Sequence, residues 1–136
     1  ESDSLFDFSF RLANTRGQSL SIGYDAATNQ YYIDRSQSQP NEFSSDFPGR
    51  HVPPRETSSP SHNLTLVVDR SSVELFADGG LSVMTEIFFP DEVFGKLELS
   101  ADKPVRLVEV TALQRIWDSQ YPIRIATTRW DPAWTP

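Results

Sequence analysis

Cysteine is absent from this sequence. That excludes disulfides, thiolate metal sites and a thiol nucleophile, and it leaves the redox compartment open. Basic residues are few: twelve Lys and Arg stand against nineteen Asp and Glu, for a net charge of −7. A nucleic-acid partner needs a basic surface to neutralise phosphates, and an anionic membrane surface has the same requirement, so neither is expected. No apolar run approaches the roughly 18 residues of a membrane span. No secretory signal is visible, and Glu1–Ser4 reads as a cut within a longer precursor. Helical periodicity is missing as well: no stretch of a dozen residues keeps a 3.6-residue apolar repeat.

What the chain does have is rings and alternation. Aromatic residues make up 12% of 136 residues, more than a disordered chain would carry, so a folded domain is expected. Phe6, Phe8 and Phe10 alternate with Asp7, Ser9 and Arg11, and Leu20, Ile22 and Tyr24 alternate with Ser21 and Gly23. Such two-residue periods mark half-buried strands. After an Ala-Ala-Thr-Asn turn, Gln30–Ser36 continues the series. Leu64–Val68, Val73–Ala77, Leu81–Phe89, Lys96–Ala101 and Val105–Ile116 follow. Asp78-Gly79-Gly80 is a hairpin signal, because these residues tolerate positive φ.

About eight strands at this spacing predict an all-β fold, an antiparallel two-sheet β-sandwich of jelly-roll-like or lectin-like form. The expected core is Phe8, Phe10, Leu66, Val68, Val73, Leu75 and Val83. The expected division is a sandwich over residues 1–116 and an aromatic, Pro-rich tail over 117–136.

Residues 37–62 interrupt the pattern with Ser and Pro, which removes ladder donors. In a two-sheet fold this stretch is read as a crossover between sheets. Its two histidines, His51 and His62, are eleven apart with no helix to align them. They are read as solvated loop residues rather than metal ligands.

The sequence offers little catalytic chemistry. Gly-x-Ser-x-Gly elbows and Gly-rich phosphate loops are absent. Glu74 is the one acid in a strongly apolar run, and it should point opposite Val73 and Leu75, away from the core. Asp69, Arg70 and Glu74 lie close enough in sequence for a guanidinium to reach both carboxylates. They are candidates for a polar network at a strand turn, or for contacts to sugar hydroxyls. Trp117, Tyr121, Trp130 and Trp134 are candidates for docking or stacking. Tyr32-Ile33-Asp34-Arg35-Ser36 echoes Val67-Val68-Asp69-Arg70-Ser71, as if the two marked equivalent strand ends.

The run Leu66-Val67-Val68-Asp69-Arg70-Ser71-Ser72-Val73-Glu74-Leu75-Phe76, then Asp78-Gly79-Gly80 and Met84-Thr85-Glu86-Ile87-Phe88-Phe89-Pro90, resembles the C-terminal domain of glycoside hydrolase family 32. That family includes invertases, levanases and inulinases. Tyr32–Ser36 and Phe43–Phe47 extend the likeness over most of residues 5–113.

The resemblance implies a sandwich beside a catalytic β-propeller in the same polypeptide. In the family the propeller holds the carboxylates, in an Asn-Asp-Pro-Asn-Gly-like run and a Glu-Cys pair. Neither occurs here, and Trp130 interrupts the Arg129–Pro132 stretch that might suggest an Arg-Asp-Pro motif. No catalytic, cofactor or metal residue is therefore carried over. The expected role is a non-catalytic module that stabilises or docks on the propeller of a secreted fructan- or sucrose-cleaving enzyme, extracellular or periplasmic. Direct grip on fructan (levan or inulin) is the alternative, contacts to a second copy are also open, and independent hydrolysis is the least supported.

Overall fold

The computed structural model describes residues 5–40, 44–113 and 125–130, the last as strand backbone only. Among the described residues, ten strands form two five-stranded sheets in which every pairing is antiparallel. The strands are β1 (Phe8–Ala13), β2 (Ser19–Asp25), β3 (Gln30–Gln37), β4 (Arg50–His51), β5 (Leu64–Val68), β6 (Ser72–Ala77), β7 (Ser82–Ile87), β8 (Lys96–Ala101), β9 (Leu107–Leu113) and β10 (Ile125–Trp130). The first sheet runs β4-β3-β2-β1-β8 and the second β7-β6-β5-β10-β9. The two-sheet sandwich expected from alternation is thus present. Residues 125–130 join it between β5 and β9, so the stretch from 117 onward lends a strand to the second sheet.

Alternation sets the faces. Phe8 and Phe10 (β1), Leu20, Ile22 and Tyr24 (β2), and Tyr31 and Ile33 (β3) all point inward and are buried. Leu64 and Leu66 (β5) and Val73, Leu75 and Ala77 (β6) meet them from the second sheet. Burying a side chain of this size contributes about 1.5–3 kcal/mol each, an upper bound for a compact denatured state.

Two members of the expected core differ. Val68 is half-buried against the edge of the cluster. Val83 is 50% exposed, because it pairs with outward Phe76. The inward positions of β7 are Ser82, Met84 and Glu86, opposite Ala77, Leu75 and Val73. A one-residue shift of face explains the error.

The hairpin at Asp78–Gly80 forms as expected, with φ of 53° at Asp78, 71° at Gly79 and 91° at Gly80. Residues 37–62 do cross from the first sheet to the second. On the way they add the short edge strand β4 and a bridge from Pro54 to Gln30. The crossover thus runs along the β3 edge of the first sheet, and it brings buried polar side chains with it.

Candidate functional site

Four places on the described residues hold enough polar or exposed apolar chemistry to matter.

The first is a dry polar knot built by the crossover. Arg55 is 6% exposed and His62 1%, so His62 is not the solvated loop residue expected from sequence. Arg55 Nε donates to Asp78 Oδ2 at 2.9 Å and to Tyr31 Oη at 3.2 Å. Its Nη groups donate to the carbonyls of Thr57, Ser59 and Ser61 at 2.9–3.1 Å. One guanidinium thereby ties its own loop to the turn after β6. Tyr31 Oη donates to Asp78 Oδ2 at 2.7 Å and lies 2.9 Å from His62 Nδ1. If the phenol proton goes to Asp78, Nδ1 of His62 carries the proton that fills the second contact.

The His62 ring packs 4.3 Å from Tyr24 and 5.2 Å from Phe8, centroid to centroid. Burial, followed by the charge of Arg55, lowers its pKa to about 4, with Asp78 acting in the opposite sense. It is therefore neutral at pH 7. Burial and the bond to Asp78 push the Tyr31 phenol far above its ordinary range. The Arg55 guanidinium, Tyr31 Oη, Asp78 Oδ2 and His62 Nδ1 are thus committed to holding the loop in place.

The second is an ionic cluster at the far end of the β6–β7 hairpin. Arg35 Nη1 donates to Glu86 Oε2 at 3.1 Å and to the Ile87 carbonyl at 3.3 Å. His51 Nδ1 lies 2.5 Å from Glu86 Oε1. Arg35 also sits 3.8 Å over the ring of Phe47, which tilts against Phe89 at 5.8 Å. Arg35 and Glu86 belong to two of the recognised sequence runs, and the fold brings those runs together here.

The predicted triad falls elsewhere. Asp69 and Arg70 form the β5–β6 turn: the Asp69 N–H donates to Ser72 O at 2.9 Å, and the Arg70 N–H to Asp69 Oδ1 at 2.6 Å. Glu74 sits mid-strand between Val67 and Thr85, half-buried and on the outward face of β6, as the alternation implied. Arg70 also lines a cleft of about 220 Å³ with Phe88, Phe89 and Val93. In the echoed run, Asp34 Oδ1 accepts from the Ser36 N–H at 2.9 Å, so both Asp residues order local backbone. Trp117, Tyr121 and Trp134 lie outside the described residues, and Trp130 enters only as the last residue of β10.

The third and fourth places are the two outer faces. Across the first sheet, Ser100, Ser9, Gly23 and Tyr32 form one cross-strand row. The Tyr32 ring lies over Gly23, where an added Cβ would come within 2.6 Å of the phenol oxygen and 2.3 Å of the Phe8 carbonyl. Arg50 stacks its guanidinium 3.8 Å from the centre of that ring. A cavity of about 260 Å³ opens beside them, with Asp7, Asp25 and Asp102 on its rim. Across the second sheet the outer face carries an interrupted apolar strip: Phe76 and Val83 pair at 37% and 50% exposure, Glu74 and Thr85 pair next, and Ile87, 48% exposed, lies beyond them. Sequence reading missed this strip because it assigned Val83 to the core.

Comparison with known proteins agrees with the fold. The family described as "Glycosyl hydrolases family 32 C terminal" matches residues 1–114. A levanase of Bacillus sp. (strain L7) is 37% identical over 114 residues, covering 82% of this chain and 12% of the levanase. A levanase of Bacillus subtilis (strain 168) is 30% identical over 131 residues, covering 93% and 19%. The crystal structure of exo-inulinase from Aspergillus awamori superposes with a TM-score of 0.64 at 23% identity, over 93% of this chain and 22% of that one. The chain thus spans between about an eighth and a fifth of the length of these relatives.

Proposed function

The chain belongs to the family of C-terminal domains of glycosyl hydrolases of family 32, and from that premise we propose that it is a non-catalytic sandwich docked on the catalytic β-propeller of its own polypeptide. The parent would hydrolyse a fructan of the levan or inulin kind, or sucrose. The relatives are levanases and exo-inulinases, and the exo-inulinases among them carry the word extracellular in their names, which supports a secreted parent. Within the chain, Asp69, Arg70 and Glu74 serve the order of the β5–β6 turn in this reading.

The observation that carries docking is the outward apolar strip of β6–β7. Phe76 and Val83 pair across the hairpin and Ile87 follows on the same face beyond the Glu74–Thr85 pair, whereas the other sheet's outer face is lined by Ser, Asp and Arg. Large apolar side chains left exposed together on one face support an interaction site. The remaining four-fifths or more of a relative-sized polypeptide is the partner that is always present.

Two measurements test the reading. The purified chain should release no fructose from levan, inulin or sucrose; release abolished by changing one acid in the chain would overturn the non-catalytic role. In the parent polypeptide, Val83→Asp with Ile87→Asp should lower the melting temperature of this domain by several degrees, since about 1 kcal/mol shifts a domain of this size by ~4 °C. The same pair should leave the isolated chain unchanged. If instead the isolated chain dimerises and the pair makes it monomeric, a second copy is the occupant and intramolecular docking fails.

A further inference from the structure

We propose that the cavity on the outer face of the first sheet is a binding subsite for one unit of a neutral sugar. At about 260 Å³ it is just smaller than the ~300–1,000 Å³ of pockets for drug-sized ligands, a size suited to a single ring with its hydroxyls.

Its chemistry is mixed and preset. Asp7 Oδ1 accepts the Ala26 N–H at 2.7 Å, and Asp25 Oδ1 accepts the N–H groups of Ala27 and Thr28 at 2.9 and 3.2 Å. Each carboxylate is thus held in orientation through one oxygen, and its second oxygen takes no bond from the described residues. Asp102 stands beside them, its backbone N–H tied to the Asp7 carbonyl at 3.1 Å. Arg50 lines the same cavity, its guanidinium over the Tyr32 ring and its N–H fork engaged by no side chain of the described residues.

Fixed acceptors and a donor fork in one cavity match vicinal hydroxyls, which donate and accept at neighbouring positions. An anion would meet three carboxylates. An apolar ligand would find polar walls. A metal ion would need a closer set of ligands, and no group of three or more His, Cys, Asp or Glu among the described residues is arranged to hold one. Gly23 is part of the design, because any side chain there would lift Tyr32 and the guanidinium stacked on it.

The subsite goes beyond docking and lies on the opposite sheet from the apolar strip, so the two readings fail separately. The test titrates the 136-residue chain calorimetrically with D-fructose and with short levan and inulin oligosaccharides. Saturable binding in the millimolar range is expected for at least one of them. Arg50→Met keeps an apolar stem on Tyr32 but removes the donors. Asp102→Asn changes an exposed acceptor. Each should weaken binding about ten- to a hundredfold, the worth of one charge-assisted hydrogen bond, with the melting temperature unchanged. Should Arg50→Met fail to fold, Asp102→Asn alone carries the test. Absence of saturable binding to all three probes would overturn the proposal. So would binding that the variants leave untouched, since the sugar would then sit elsewhere.

Discussion

The β6–β7 hairpin is clasped at both ends by an arginine and an acid, and the two clasps differ in water. At the turn end, Arg55 and Asp78 have side chains 1% and 5% exposed. At the open end, Arg35 and Glu86 are 14% and 11% exposed, and the third member, His51, is 48% exposed. The distances are similar, 2.9 Å against 3.1 Å. Geometry alone would therefore rank the clasps as equals. Desolvation separates them, because a buried charge that loses its partner has no water to replace it. The dry clasp also fixes the crossover through three loop carbonyls, whereas the wetter one holds a strand edge and a ring.

The largest expected effect breaks the dry clasp. Asn tolerates the positive φ at position 78, so Asp78→Asn removes the charge without straining the turn. It strands the Arg55 guanidinium, and the expected loss is about 3–5 kcal/mol of unfolding free energy in urea. Glu86→Gln at the other end should cost roughly 1–2 kcal/mol, because water can reach what it exposes. Equal losses would mean that burial is not what distinguishes the clasps. If Asp78→Asn does not fold, the double change Arg55→Met with Asp78→Asn should recover a folded chain, since removing both charges leaves neither stranded and Asn keeps the turn unstrained.

The next effect sharpens the comparison through pH. His62 has a pKa of about 4 in the folded chain, against 6.5 when unperturbed. Between those values the unfolded state binds more protons, so stability rises with pH. The contribution is fully present above about pH 6.5 and is lost as the pH falls toward 4. At about 1.4 kcal/mol per unit it amounts to something on the order of 3 kcal/mol. Urea unfolding from pH 4 to 7 measures it, and His62→Phe should flatten that part of the curve. A curve that His62→Phe leaves unchanged would place the acid sensitivity in other groups.

Much of this architecture could be read in the sequence, for a physical reason. Strand faces follow local alternation, and Phe8, Phe10, Leu20, Ile22 and Tyr24 announce theirs within a few residues. The hairpin turn is equally local, since Asp78-Gly79-Gly80 needs only its own φ angles. The dry clasp was not legible. Arg55 finds Asp78 at a separation of 23 residues and His62 finds Tyr31 at 31, inside a Ser- and Pro-rich stretch whose composition reads as solvent-facing. Asp69 and Arg70 drew attention because they are neighbours, yet the contacts that organise the hairpin ends come from Arg35 and Arg55, far along the chain.

The smallest expected effect concerns the one strand whose face the alternation misreported. In Leu81–Ile87 the apolar residues Leu81, Val83 and Ile87 share a period with one another, and the complementary set is Ser82, Met84 and Glu86. Hydrophobicity alone would turn the first set inward. The pairing does the opposite, because Ser82 Oγ donates to the Pro54 carbonyl at 3.0 Å and Glu86 answers Arg35. Both clasping ends thus need the polar set on the inner side, and Val83 is carried outward between them. Val83→Ala in the isolated chain should therefore change stability by no more than ~0.5 kcal/mol, as for a surface position. An inner-face residue of the adjacent strand offers the control: Leu75→Ala, at 1% exposure, should cost about 2–5 kcal/mol. A loss at Val83 approaching that of Leu75 would mean that β7 sits one residue out of this register, with Glu86 turned away from Arg35, and the clasp at the open end would go with it.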